Sequence, residues 1–203
     1  MKIICIDPGH GGKDPGNVTG QTQEKHHTLA LAREVSALLQ KADFKVVTTR
    51  SSDKYIERSD RSDLANRTKA DLFLSLHFNS APSREVKGVE VYCLTPVGAS
   101  STNARGEGSN ARASRGNSMN SQNIFLAYQV QKSLINKLAT EDRSVRRARF
   151  EVLREVSMPA ILIESGYMSN SQEGRNLSDP KYLKQLAQAI VDGVLSYQRI
   201  TEG

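Results

Sequence analysis

The sequence contains no tryptophan, only two cysteines and no long apolar run. A membrane-spanning helix needs about 20 predominantly apolar residues, so we expect no transmembrane segment. Cys5 and Cys93 each lie in a short apolar stretch, outside any Cys-x-x-Cys or Cys/His spacing. That placement argues against a cysteine zinc site and predicts two buried free thiols. The N-terminal stretch MKIICIDPGHGG lacks the long apolar segment of a signal peptide, so we expect synthesis in the cytoplasm without one.

Several common catalytic motifs are also missing. Lys13 is followed by aspartate, where a Walker A loop requires serine or threonine, and Asp14 stands where a dinucleotide-binding loop has its third glycine. The sequence contains neither H-E-x-x-H nor G-x-S-x-G. These absences exclude a helix-borne metalloprotease site and the nucleophile elbow of an α/β-hydrolase.

The charge balance is basic, with a formal net charge of +6 and a pI near 9.4. A basic surface favours anionic partners, which include nucleic acid, acidic lipid and bacterial wall polymers. The densest basic run is RRAR, Arg146 to Arg149. We interpret it as a solvated basic turn before a strand, and we therefore expect no nucleic-acid partner.

Strand and helix patterns alternate along the chain, which predicts an α/β fold with helices on both faces of one mostly parallel, mixed sheet. The predicted strands are KIICI, KVVTTR, DLFLSLHFN, GVEVYCL, RFEVLR and PAILIE, with GVEVYCL nearer an edge of the sheet. The predicted helices cover residues 28–42, 124–139 and 180–198, and residues 61–70 form the latter part of a fourth helix. In the helix at 124–139, Tyr128 is predicted to lie on the apolar face. Residues 98–123 contain no Val, Ile, Leu or aromatic residue. We interpret this stretch as a polar loop inserted in a single domain that covers residues 1–203.

Candidate site residues follow the predicted strands. IDPGHGGKDPG, Ile6 to Gly16, combines glycine and proline at a density typical of a rigid loop, and that loop holds His10. His77 and Glu164 come at the ends of two other predicted strands, where ligands bind in open α/β sheets. Glu24 lies at the approach to the first helix and can reach the same edge.

These residue types match a zinc hydrolase. Catalytic zinc often takes two histidines and one carboxylate and keeps a fourth position for water, and His10, His77 and Glu24 supply that set. Glu164 would be the second carboxylate, which moves the proton from water to the leaving amine. His27 follows Glu24 by three residues and shares its helix face, so spacing alone leaves His27 as an alternative ligand.

The chain resembles the zinc-dependent N-acetylmuramoyl-L-alanine amidases that carry the GHGGxDPG signature. The similarity covers nearly the whole chain, through IDPGHGGKDPG, EK at residues 24–25, RSDLANRTKADLFLSLHFNSA, GVEVY and ARFEVLREVSMPAILIESGYMSN. It implies a twisted α/β sheet, one zinc ion held by His10, Glu24 and His77, and Glu164 as the catalytic residue. Asn79 also matches the family pattern, and we interpret it as a polar residue that supports the site.

Two features depart from the family pattern. His26 stands where relatives usually have an acidic residue after EK. The polar loop at 98–123 lies where some relatives carry a helical insertion that blocks the zinc. Because the loop here has Met119 as its only large apolar side chain, we expect no packed plug.

The resemblance implies a peptidoglycan hydrolase that cuts between N-acetylmuramic acid and the L-alanine of the stem peptide, in wall lysis or remodelling as an endolysin or autolysin. Such an enzyme acts on the wall, in the periplasm or outside the cell, after its release. Its positive charge would favour attachment to anionic wall polymers. The alternatives are a zinc peptidase that acts on the stem peptide and an inactive wall-binding module. The intact set of four residues argues against the inactive module.

Overall fold

A computed structural model describes residues 2–103 and 112–202. The strands are β1 (Ile3–Pro8), β2 (Val18–Thr19), β3 (Thr22–Gln23), β4 (Lys45–Thr48), β5 (Leu72–Asn79), β6 (Val89–Leu94), β7 (Asp142–Ala148) and β8 (Ala160–Tyr167). The helices are α1 (Glu24–Lys41), α2 (Arg58–Arg67), α3 (Asn120–Leu138), α4 (Glu151–Arg154), α5 (Ser171–Asn176) and α6 (Pro180–Glu202), and a 3₁₀ helix covers Arg115–Met119. In the part of the chain so described, no helix is long and apolar enough to cross a membrane.

Six strands form one twisted sheet in the order β4-β1-β5-β8-β6-β7. β1 pairs in parallel with both β4 and β5, and β5 pairs in parallel with β8. β6 runs antiparallel to β8 and parallel to the edge strand β7. The predicted α/β fold with a mostly parallel, mixed sheet is therefore confirmed.

Apolar side chains cover both faces of this sheet, because successive residues of a strand point to opposite sides. On one face, Ile4 and Ile6 pack in a cluster with residues of α1, α3 and α6. On the other, Cys5 and Phe73 pack with residues of α2 and α4. Cys5 and Cys93 are buried free cysteines, as predicted.

The predicted strand at RFEVLR is wrong. Glu151–Arg154 forms α4, and the edge strand is Asp142–Ala148 just before it. RRAR is consequently not a turn, because Arg146 and Arg147 lie within β7, where Arg146 Nε is 3.0 Å from Glu90 Oε2 and Arg147 Nη1 donates to the carbonyl of Leu94. The edge strand β7 pairs with β6 and needs few apolar residues of its own. The periodicity of apolar residues therefore did not predict a strand at Asp142–Ala148.

Three further features differ from the sequence predictions: the start of α3, the exposure of Tyr128 and the burial of β6. α3 begins at Asn120 after the 3₁₀ helix, so the predicted loop at 98–123 ends earlier, while residues 104–111 lie outside the described part of the chain. Tyr128 is 52% exposed, because α3 buries the opposite side through Leu126 and Val130. β6 is next to the edge strand, yet all of its residues are buried.

A buried ion pair joins β1 to α2. Asp7 is 1% exposed, and its carboxylate accepts hydrogen bonds from Arg61 Nη1 at 2.8 Å, Thr49 Oγ1 at 2.6 Å and Ser75 Oγ at 2.8 Å. Burial alone opposes ionisation of this carboxyl group, but the charge of Arg61 and these hydrogen bonds hold its pKa below the ordinary value. Asp7 is therefore ionised throughout the neutral range.

We expect Asp7→Asn to lower the free energy of unfolding at pH 7 by about 3–5 kcal/mol, because it leaves the Arg61 charge buried without its partner. Since the folded pKa of Asp7 is depressed, its stabilisation is present above the unfolded pKa of about 3.9 and is lost as the pH falls below it. In urea denaturation, the difference in the free energy of unfolding between wild type and Asp7→Asn should become smaller at acidic pH. Asp63→Asn, an exposed control on α2, should cost less than about 0.5 kcal/mol; equal losses in both variants would contradict the ion-pair account.

Candidate metal centre

The loop after β1 is rich in glycine because the three metal-ligand candidates pack directly against its backbone. A Cβ atom on Gly9 would lie 2.3 Å from Cε1 of His77. Gly16 has φ of +66°, and a Cβ atom there would lie 2.6 Å from both Glu24 Oε2 and His10 Cδ2. His10 itself adopts φ of 61°, an uncommon conformation for a residue other than glycine. The loop therefore folds closely around these side chains.

Two buried arginines donate hydrogen bonds to the backbone carbonyl groups of this loop. Arg61 Nη2 donates to the carbonyl of His10 at 2.8 Å, and its Nη1 donates to the carbonyl of Pro8 at 2.9 Å. Arg50 Nε donates to the same Pro8 carbonyl at 2.9 Å, and its Nη2 donates to that of Gly9 at 2.8 Å. Sequence analysis missed both arginines, because their partners are distant in the chain.

His10, Glu24 and His77 come together in one cluster, with one potential ligand atom from each within 4.8 Å of the others. Glu24 is the first residue of α1, and His77 lies near the end of β5. The Oε1 atom of Glu24 is 3.1 Å from His10 Nε2 and 2.9 Å from His77 Nδ1. Two imidazole nitrogens and one carboxylate oxygen form a donor set that suits zinc.

Backbone and side-chain partners orient both ends of this cluster. Glu24 accepts hydrogen bonds from the N–H groups of Asn17 at 2.8 Å and Phe78 at 3.1 Å. His10 Nδ1 lies 2.9 Å from Asp14 Oδ2, which leaves Nε2 to face the cluster. Burial opposes ionisation of Glu24, but the hydrogen bonds from His10 and His77 keep its pKa well below its usual range.

The neighbouring histidines lie outside the cluster. The ring of His27 packs edge-on against Phe78, with centroids 5.9 Å apart, and burial lowers its pKa. The side chain of His26 is 57% exposed, and its Nε2 lies 3.7 Å from Asp53. Of the two ligands that spacing left open, the structure brings Glu24, and not His27, to His10 and His77.

Glu164 lines the same cavity as the cluster, a space of about 610 Å³. It pairs in register with His77 on β5, and because β8 continues to Tyr167, Glu164 lies within the strand and does not cap the next turn. Its Oε2 atom is buried without a hydrogen-bond partner among the described residues. Burial, followed by the charges of Glu24 and Glu90, raises the pKa of Glu164 well above its ordinary value.

Behind Glu164 lies a polar network that sequence analysis missed in part. Glu90 on β6 is buried and pairs in register with Glu164. Its Oε1 accepts hydrogen bonds from Asn79 Nδ2 at 2.8 Å and from the Tyr92 hydroxyl at 3.0 Å. Asn79 therefore contacts Glu90, the neighbour of Glu164. The sequence pattern GVEVYCL predicted a strand here, but it gave no sign that Glu90 is part of the site.

Comparison with known proteins identifies similar sequences across nearly the whole chain. The family described as N-acetylmuramoyl-L-alanine amidase matches residues 4–196. The amidase LytC of Bacillus subtilis is 33% identical over 198 residues, which cover 98% of this chain but only 36% of LytC. The amidase AmiA of Salmonella typhimurium is 31% identical over 221 residues, covering 97% of this chain and 76% of AmiA.

Solved structures show the same similarity. The catalytic domain of the amidase CwlV from Bacillus (Paenibacillus) polymyxa superposes with a TM-score of 0.82 at 32% identity, covering 98% of this chain and 99% of that one. An N-acetylmuramoyl-L-alanine amidase of Clostridium difficile 630 gives a TM-score of 0.83 at 34% identity, with 100% of this chain and 98% of that one covered.

Proposed function

Because the chain belongs to the N-acetylmuramoyl-L-alanine amidase family, we propose that it is a zinc-dependent hydrolase of peptidoglycan. It cleaves the amide between N-acetylmuramic acid and the L-alanine that begins the stem peptide. The observation that carries this proposal is one cavity lined by the His10, Glu24 and His77 cluster and by Glu164, whose buried Oε2 has no hydrogen-bond partner among the residues that the structure describes. The proposed catalytic domain covers residues 1–203, with the polar stretch at 98–123 as its insertion.

The proposed ligands of one zinc ion are His10, Glu24 and His77. The donor set fits, since two imidazole nitrogens and a carboxylate oxygen converge; Asp14 orients His10, and the backbone N–H groups of Asn17 and Phe78 orient Glu24. When bound, zinc acts as a Lewis acid that polarises the amide carbonyl and lowers the pKa of water.

Glu164 moves the proton in this mechanism. Its carboxylate takes a proton from the attacking water and passes it to the nitrogen of the leaving L-alanine. A carboxyl group with a raised pKa is a stronger base than an exposed one, so the burial of Glu164 suits this task. The scissile amide must lie between Glu164 and the cluster, and both line the same cavity.

Digestion of purified peptidoglycan tests the proposed function. We expect mass spectrometry to detect free stem peptides that begin with L-alanine, lost on chelation and restored by added Zn²⁺. Release of only a terminal amino acid would instead identify a zinc peptidase acting on the stem peptide. No product from metal-loaded protein would identify a wall-binding module without activity.

The proposed setting is the cell wall, in the periplasm or outside the cell, where the enzyme acts after release as an endolysin or autolysin. The net charge of +6 supports attachment to anionic wall polymers. Such attachment is electrostatic, so its strength should fall as the salt concentration rises. Pelleting of protein with purified walls measures this, and binding that does not change with salt would contradict it.

A further inference from the structure

A second cavity adjoins the proposed active site. It has a volume of about 430 Å³ and shares Arg149 and Arg154 with the catalytic cavity. Arg112 and Arg115 also line the second cavity. Among the described residues that line it, one is acidic, Glu155. Both residues shared by the two cavities are therefore arginines, which makes their junction positively charged.

Among the described residues, the side chain of Arg154 has no hydrogen-bond or ion-pair partner, in contrast to that of Arg149. Arg149 Nη1 donates to Ser101 Oγ at 3.2 Å, and its Nη2 donates to the carbonyl of Ala99. The Nε atom of Arg154 is buried without a hydrogen bond, and over residues 2–103 and 112–202 no carboxylate pairs with its guanidinium. Leaving such a group unpaired costs free energy unless an anion from outside the chain completes it.

The wall that carries Arg154 is closely packed. Gly116 of the 3₁₀ helix lies against α4, where a Cβ atom on this glycine would come within 2.2 Å of the Leu153 carbonyl and 3.0 Å of Leu94. Leu153 is fully buried and directly precedes Arg154. The core thus fixes the backbone from which the Arg154 side chain extends.

The chemistry of the proposed substrate identifies which anion can reach Arg154. The carboxyl group of muramic acid is consumed in the scissile amide, so the sugar side brings no charge there. The peptide side brings free carboxylates, the first of them on the second residue when that residue is an unamidated γ-linked glutamate. A guanidinium binds a carboxylate through two parallel hydrogen bonds.

We propose that Arg154 anchors a subsite that binds a carboxylate of the stem peptide on the leaving-amine side of the scissile bond. Arg115 and Arg149 add positive charge to this subsite. The inference rests on the proposed function, and it adds that the peptide runs from the catalytic cavity past α4 into the second cavity. The enzyme then distinguishes stem peptides by the charge of their second residue.

The test uses two soluble disaccharide–tripeptide substrates that differ only in whether the α-carboxyl of the second peptide residue is free or amidated. We expect Arg154→Gln to lower kcat/KM for the free-carboxyl substrate by about 10- to 100-fold and to change the amidated substrate far less. Arg67→Gln removes an exposed arginine from α2 and should leave both values unchanged. Arg154→Lys keeps the positive charge but cannot form two parallel hydrogen bonds to a carboxylate. Its kcat/KM for the free-carboxyl substrate should therefore lie between those of wild type and Arg154→Gln.

The outcomes separate this inference from the proposed function. Equal losses on the two substrates, in Arg154→Gln or Arg154→Lys, would overturn the carboxylate subsite while leaving the amidase function in place. A defect seen on intact walls but on neither soluble substrate would also overturn it, in favour of binding to a wall polymer. Wild-type protein that cleaves neither substrate would refute the proposed function, and the subsite with it.

Discussion

Replacing Glu164 with glutamine should lower kcat for amide hydrolysis by about 100- to 10,000-fold while leaving zinc in place. Glutamine has nearly the same shape but cannot accept the proton of the attacking water. Because Glu164 contacts the cavity from β8 and is not in the ligand cluster, its loss should not release the metal. The measurement is steady-state hydrolysis of a soluble muropeptide, paired with zinc analysis of the same sample.

Stability separates a catalytic role for Glu164 from a structural one. The buried Oε2 of Glu164 has no hydrogen-bond partner in the described part of the chain, and burial disfavours the charged form of Glu164. Glu164→Gln should therefore melt at the same temperature as wild type or higher. Glu85→Gln makes the same chemical change at an exposed position and serves as the matched control. A Glu164→Gln variant that keeps a tenth or more of wild-type kcat would show that another group moves the proton.

The second large effect concerns the ligands. We expect His77→Gln to lose its zinc and to reduce activity by at least about 100-fold, since outer-shell changes alone cost 10- to 100-fold in metal sites. His27→Gln should keep both zinc and activity, because the His27 ring packs on Phe78 away from the cluster. Zinc per chain, measured by elemental analysis after dialysis, compares the two substitutions directly.

Adding Glu24→Gln to these variants decides between Glu24 and His27, the two ligand assignments that spacing left open. If His27→Gln loses zinc and Glu24→Gln retains it, the ligand set is wrong. If the described geometry is correct, Glu24→Gln loses zinc and His27→Gln retains it. His26→Gln, at a mostly exposed histidine, controls for loss of adventitious surface metal and should behave as wild type.

Local patterns were reliable where the chain is periodic or where residue type decides the chemistry. The apolar runs of β1, β5 and β8 predicted their strands, because strands covered on both faces read as nearly continuous apolar stretches. His10, Glu24, His77 and Glu164 were identified for their ligand and proton-transfer chemistry, and all four line one cavity. The glycines around His10 were recognised as a rigid loop.

Local patterns failed where long-range contacts decide the structure. β7 contains four charged residues and is a strand because β6 supplies its backbone partners, while RFEVLR has a strand-like composition yet forms α4. Tyr128 has helical spacing with apolar residues, but the packing of α3 on α6 and β6 turns it outward.

The sequence by itself determined the alternation of strands and helices, the sheet class and the residue types of the candidate site, because these depend on periodicity and on side-chain chemistry. Spacing left Glu24 and His27 both open, and the family resemblance implied Glu24. The tertiary structure brings Glu24, not His27, into the cluster, because that depends on where α1 begins, and there the Glu24 N–H bonds to the carbonyl of Asn17. It alone also revealed the burial of Asp7 with Arg61 and the buried Nε of Arg154, which has no hydrogen-bond partner within residues 2–103 and 112–202. Charges of this kind are buried by residues more than 40 positions away, or by neighbouring elements, and no local pattern records those contacts.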